Sequence, residues 1–135
     1  MSALTVAALT AAGGLGAVCR FLVDLWVTGW LQARVPARRA HGHPRPDLPV
    51  GTLVVNATAC LALGLVTAAL APRLPVAASV VGTGFLGGYS TFSTACVEGA
   101  RLVLAGQVAA GLAHAAAMAA VCLAAVAAGL ALGGA

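Results

Sequence analysis

Four long apolar runs, at residues 3–31, 50–71, 76–97 and 102–132, leave this chain one environment to fold in. Crossing about 30 Å of hydrocarbon at roughly 1.5 Å per residue takes about 20 helical residues, and each run is long enough. None shows the two-residue alternation of a half-buried strand. Only 7% of the residues are charged and 61% are hydrophobic, whereas a soluble domain covers roughly 25–35% of its surface with charge. The reading is an all-α membrane protein, one domain over residues 1–135 with four transmembrane helices. The first run has no basic start and continues past any plausible cleavage point, so it reads as the first span and not as a leader.

The seven basic residues are all arginines, set against three acidic ones for a net charge of +4. Four of them (Arg34, Arg38, Arg39, Arg45) fall in segment 32–49, together with two histidines and four prolines. A basic loop beside a span is the usual signal of membrane orientation, so a nucleic-acid partner is not expected. Pro72-Arg73-Leu74-Pro75 reads as a tight turn, and Glu98-Gly99-Ala100-Arg101 as the separator of spans three and four. Cys19, Cys60, Cys96 and Cys122 stand singly in apolar stretches without metal-ligand spacing, and read as small buried hydrophobes.

Small and polar residues recur along single helical stripes. In the first run these are Gly13, Gly16, Ala17, Arg20, Asp24 and Thr28; in the second, Thr52, Asn56, Cys60 and Gly64. Such stripes let helices approach closely in lipid, which is the packing reading of each small residue. Asn56 is different, because its amide needs partners away from lipid. Arg20 and Asp24, four residues apart, either pair along one face or place Arg20 at an aqueous vestibule that attracts anions.

The third run holds Gly87-Gly88-Tyr89-Ser90-Thr91-Phe92-Ser93-Thr94. Glycine costs about 1 kcal/mol per helical position, and serine and threonine compete for backbone hydrogen bonds. A helix broken mid-membrane near residues 87–91 is therefore expected. Freed backbone groups at that depth persist only where they are buried in protein or line a cavity.

These residues carry a resemblance. Gly13-Gly14-Leu15-Gly16-Ala17-Val18-Cys19-Arg20, then Gly51-Thr52-Leu53-Val54-Val55-Asn56, then the 87–94 segment followed by Glu98, resemble the first three span motifs of the Fluc/CrcB fluoride channels, in order and spacing. The resemblance implies a small bacterial inner-membrane protein, multi-pass and not an enzyme, that exports fluoride passively and assembles as an antiparallel dimer. It implies a structural sodium ion (Na+) at the dimer centre, held by the backbone carbonyls of Gly87 and Ser90. Asn56 and Phe92 would line the fluoride path, and Arg20 would stand at the vestibule. Chemistry agrees: amide and hydroxyl donors from Asn56, Ser93 and Thr94, and the positive edge of a phenyl ring, can replace fluoride's water without holding it tightly.

Two departures stand out. Ala95 takes the place of the family's second pore phenylalanine, and His114 falls where a tyrosine is usual, with Met118 and Cys122 one and two turns on. His114 reads either as a pore donor or as a buried structural histidine. Two other functions fit a four-span dimer: a proton-coupled small multidrug transporter, and a non-conducting scaffold subunit of a heterodimeric channel. The first resembles exchange at a first-span carboxylate, and Asp24 is the only one in that span, with Arg20 one turn away to neutralise it; aromatics are 4% of the chain, thin for a cation cage. Counting arginines, five (Arg34, Arg38, Arg39, Arg45, Arg101) fall on one side and Arg73 alone on the other. That bias predicts a cytoplasmic 32–49 loop and a heterodimer with an oppositely oriented homologue.

Overall fold

The computed structural model describes residues 2–34 and 50–135, and those residues are helical with no strand among them. Most of the arginine-rich 32–49 segment, read above as a cytoplasmic loop, lies outside them. Helix α1 (Ala3–Arg34) is followed by α2 (Val50–Leu65), which runs into a π-helical turn at Val66–Leu70. Next come α3 (Pro75–Ser79), a second π-helical stretch (Val80–Leu86) and α4 (Gly87–Tyr89), then α5 (Phe92–Leu104) and α6 (Val108–Gly134). Among the described residues, three helices are long and apolar enough to cross a membrane: Ala3–Leu31, Val50–Leu70 and Val108–Gly134.

The third apolar run is not one helix. Helical turns continue from Pro75 to Tyr89, then Ser90 (ψ 162°) and Thr91 (φ −149°, ψ 113°) are extended before α5 begins. The interruption sits at the end of the expected 87–91 window, because Gly87 and Gly88 still hold helical geometry. Glu98–Arg101 does not separate two spans as the sequence suggested. Those residues lie inside α5, and the turn falls at 105–107. Gly106 stops the helix there with φ +79°, a conformation that glycine adopts freely. The Ala105, Gly106 and Gln107 N–H groups close onto the carbonyls of Arg101, Val103 and Leu102. Accordingly α6 starts at Val108, six residues later than the apolar run suggested.

Packing rests on missing side chains. On α1, Gly13 faces Gly88: a Cβ on Gly88 would collide with the Gly13 backbone, which holds α1 against the 75–89 helical run. Between α2 and α6, a Cβ on Gly129 would meet the Gly64 Cα and the Leu65 N at 3.0 Å. Asn56 touches Met118 and Gly64 meets Val126, both 62 positions on, so α2 and α6 run parallel in one register. Replacing Gly129 by Leu should cost about 1–3 kcal/mol by overpacking this seam. Reversible unfolding in mixed detergent micelles measures it, and an unchanged midpoint would contradict the close approach. The outer faces stay apolar, with Leu4, Phe21, Trp26, Leu104 and Leu123 more than half exposed, as lipid or a second subunit requires.

Candidate functional site

The interruption at Ser90–Thr91 is held open by a side chain from another helix. Asn56 on α2 is buried, at 7% exposure. Its Nδ2 donates to the Thr91 carbonyl at 2.9 Å, and its Oδ1 accepts from the Thr91 N–H at 2.7 Å. The amide thus matches the donor and acceptor of one peptide residue, as a neighbouring strand would. Its remaining N–H points at the Met118 thioether, 3.7 Å away, which is a weak acceptor.

This arrangement strips hydrogen bonds from two carbonyls. In an unbroken helix the Thr91 N–H would go to Gly87 and the Thr94 N–H to Ser90. Here Asn56 takes the first, and the Thr91 hydroxyl caps α5 by accepting the second at 3.2 Å. Among the described residues, no hydrogen bond outside the regular helices reaches either the Gly87 or the Ser90 carbonyl. A Cβ on Gly87 would meet open space. Two bare carbonyls beside an open face are a donor set for a hard cation such as sodium, as unwound segments of transporters show. No cluster of three or more His, Cys, Asp or Glu side chains is present among the described residues, so backbone oxygen is the ligand chemistry on offer.

Beside the break lies a cavity of about 90 Å³ lined by Arg20, Phe21, Asp24, Thr52, Val55, Thr91 and Thr94. Arg20 Nε is buried there without a hydrogen-bond partner. Among the described residues no hydrogen bond or ion pair joins Arg20 to Asp24, so the paired alternative read from their spacing is not the one adopted. A Cβ on Gly51 would instead run into the Asp24 carboxylate, near Thr28. The Thr91 hydroxyl also donates to Thr94 Oγ1 at 2.8 Å, and Ser93 Oγ lies at 3.4 Å. Phe92, the first residue of α5, is 85% exposed.

One helical turn away from Asn56 a second polar layer joins α2, α5 and α6. The Thr52 hydroxyl donates to Glu98 Oε1 at 2.6 Å, and Glu98 Oε2 lies 3.7 Å from His114 Nε2. Both of these facing atoms are buried and without hydrogen bonds. Thr91, Thr94 and Asn56 therefore converge on the break, whereas His114 joins Thr52 and Glu98 instead. The sequence places Thr52 on the stripe and motif of the second run, and Glu98 both in a connection and at the end of the third-span motif, without joining the two. Spacing carried the signal: Thr52 precedes Asn56, Thr94 precedes Glu98, and His114 precedes Met118, each by one turn on one helix face.

Comparison with known proteins follows this geometry. The family model described as "CrcB-like protein, Camphor Resistance (CrcB)" matches residues 7–130. The chain is 43% identical over 136 residues to "Fluoride-specific ion channel FluC 1" of Leifsonia xyli subsp. xyli, covering 99% of this chain and 90% of that one. It is 45% identical over 93 residues to "Fluoride-specific ion channel FluC 2" of Cutibacterium acnes, covering 67% and 65% of the two chains. It is also 39% identical over 107 residues to "Fluoride-specific ion channel FluC 1" of Rubrobacter xylanophilus, covering 79% and 75%.

Proposed function

The chain belongs to the CrcB family, and from that premise we infer that it is a fluoride-specific ion channel and not an enzyme. The observation that carries the reading is the hydroxyl-lined cavity beside the broken segment, with the Arg20 guanidinium at its wall. An arginine with unspent donors attracts an anion into a low-dielectric space. The Thr94 hydroxyl at the cavity wall then offers a proton in place of the ion's water, with Ser93 and Phe92 exposed beside it on the first turn of α5. Asn56 contributes chiefly by holding the break in shape, since both ends of its amide already serve Thr91.

The chain crosses a bacterial inner membrane four times, the 75–104 region making the third, broken crossing. Two subunits pack antiparallel through the open face at Gly87, and the Gly87 and Ser90 carbonyls of both hold one Na+. The ion supplies positive charge that ties together carbonyls otherwise left bare. The five-to-one arginine bias places the 32–49 loop in the cytoplasm and argues for a heterodimer with an oppositely oriented homologue. Ala95, and the Met118 thioether resting on Asn56, withdraw polar groups from this subunit that such a partner can restore.

Fluoride efflux from liposomes holding the purified dimer tests the function. Rapid, passive, chloride-excluding efflux is expected without a proton gradient. Drug-stimulated proton flux in its place would move the protein to the multidrug class, and no flux with any partner would leave a scaffold. The cation reading has its own measurement: replacing Na+ by a bulky organic cation should lower the dimer's melting temperature, and an unchanged melt would remove sodium from the fold.

A further inference from the structure

We propose that His114, acting through Glu98, sets whether Thr52 presents a proton or a lone pair to the cavity, so that fluoride passage rises as His114 is protonated. The proposal rests on the fluoride-channel reading above and assigns His114 as a positioning residue for it. Thr52 is the link, since it is 4% exposed, lines the cavity and donates to Glu98 Oε1 at 2.6 Å. A hydroxyl has one proton and two lone pairs. With that proton spent on Glu98, only lone pairs remain for the cavity, and they repel an anion.

The far oxygen of the same carboxylate shows what can change this. Glu98 Oε2 and His114 Nε2 face each other at 3.7 Å, both buried and both unbonded, with the two side chains 18% and 8% exposed. Buried polar atoms without partners are costly. A proton on Nε2 resolves both at once, giving a charge-assisted N–H···O bond once the gap closes by under about 1 Å. That closure draws the carboxylate toward α6 and away from α2. Thr52 is then free to turn its proton to the cavity, and the Glu98 charge behind Thr52 is neutralised. Both consequences favour an anion, so the sign is single: passage rises as pH falls.

The surroundings leave His114 as the switching group. From α5 it is faced by Glu98, with Arg101 one turn further on; both Arg101 and, from α1, Asp24 act on Glu98. From α2 come Thr52 and one titratable side chain, Cys60, a free thiol beside Cys122, two turns along α6 from His114. The Val66–Leu70 turn brings no titratable group. Among these side-chain types, histidine is the one that ordinarily changes charge between about pH 5 and 8.

Fluoride efflux from liposomes containing the conducting dimer, corrected for protein-free vesicles, gives the first measurement. Lowering the pH from about 7.5 to about 5.5 should raise wild-type efflux about threefold, with a His114→Gln dimer flat across the range. The second measurement needs no flux. Ring-nitrogen NMR of the purified dimer, with His41 and His43 replaced by Gln, follows His114 directly. Fluoride held in the cavity and a proton on His114 favour each other, so saturating fluoride should move the midpoint up by about half a pH unit, the linkage equivalent of a threefold gain in fluoride affinity. A pH slope that survives in His114→Gln, or a midpoint indifferent to fluoride, overturns the proposal. A dimer that passes no fluoride at any pH removes the channel reading, and the fluoride response of the midpoint then decides the site by itself.

Discussion

Replacing Asn56 by Ala should abolish most fluoride flux, by at least about tenfold, and destabilise the bundle by about 2–4 kcal/mol. Both losses come from one residue because the Asn56 amide satisfies the N–H and the carbonyl of Thr91 together. Removing it orphans two buried backbone groups, each costing about 1–3 kcal/mol. The Thr91 N–H can then return to the Gly87 carbonyl, which re-forms the helix and closes the break. Asn56→Asp separates the two bonds, since a carboxylate still accepts from the N–H but cannot donate to the carbonyl; an intermediate loss is expected. Liposome flux and reversible unfolding in micelles report both quantities, and wild-type flux from Asn56→Ala would refute the role.

The second large effect concerns the partner. Expressed alone, the chain should insert in one orientation and conduct fluoride at least about tenfold less than when co-expressed with a homologue of opposite arginine bias. An antiparallel pair needs one subunit of each orientation. Five arginines against one give a chain of this sequence little access to the inverted form. Reporter fusions at the C-terminus read the orientation directly, with a periplasmic signal expected. Equal signals from both sides, or full flux from the chain alone, would make the homodimer the working form.

Much of this was legible in the residues, and the exceptions have physical causes. The apolar runs located α1, α2 and α6, because length and hydropathy alone decide a span. The glycine and hydroxyl run announced a broken third helix, and the break falls at the end of the expected window: Gly87 and Gly88 lower helix propensity, but close packing of Gly88 on Gly13 keeps that turn helical. Glu98 and Arg101 looked like a connection because charges usually lie outside lipid. A charge with a partner can stay in a helix, and Thr52 is that partner. Partners across helices do not show in a single sequence. For the same reason the spacing of Arg20 and Asp24 leaves both an ion pair and a vestibule arginine open, whereas the fold sends Asp24 toward Gly51.

The interruption at Ser90–Thr91 also has an electrostatic consequence. It sets the carbonyl end of one helical run and the N–H end of α5 a single peptide unit apart. Aligned peptide dipoles give such ends roughly half an elementary charge each, negative and positive respectively. One kink thus offers opposite potentials on its two sides, suited to a cation and to an anion, while its net charge stays zero. A formal charge at membrane depth costs at least about 2.5–3.5 kcal/mol, and the paired helix ends avoid that cost. Nothing in the pair can gain or lose a proton, so its pull on ions persists at any pH that leaves the fold intact.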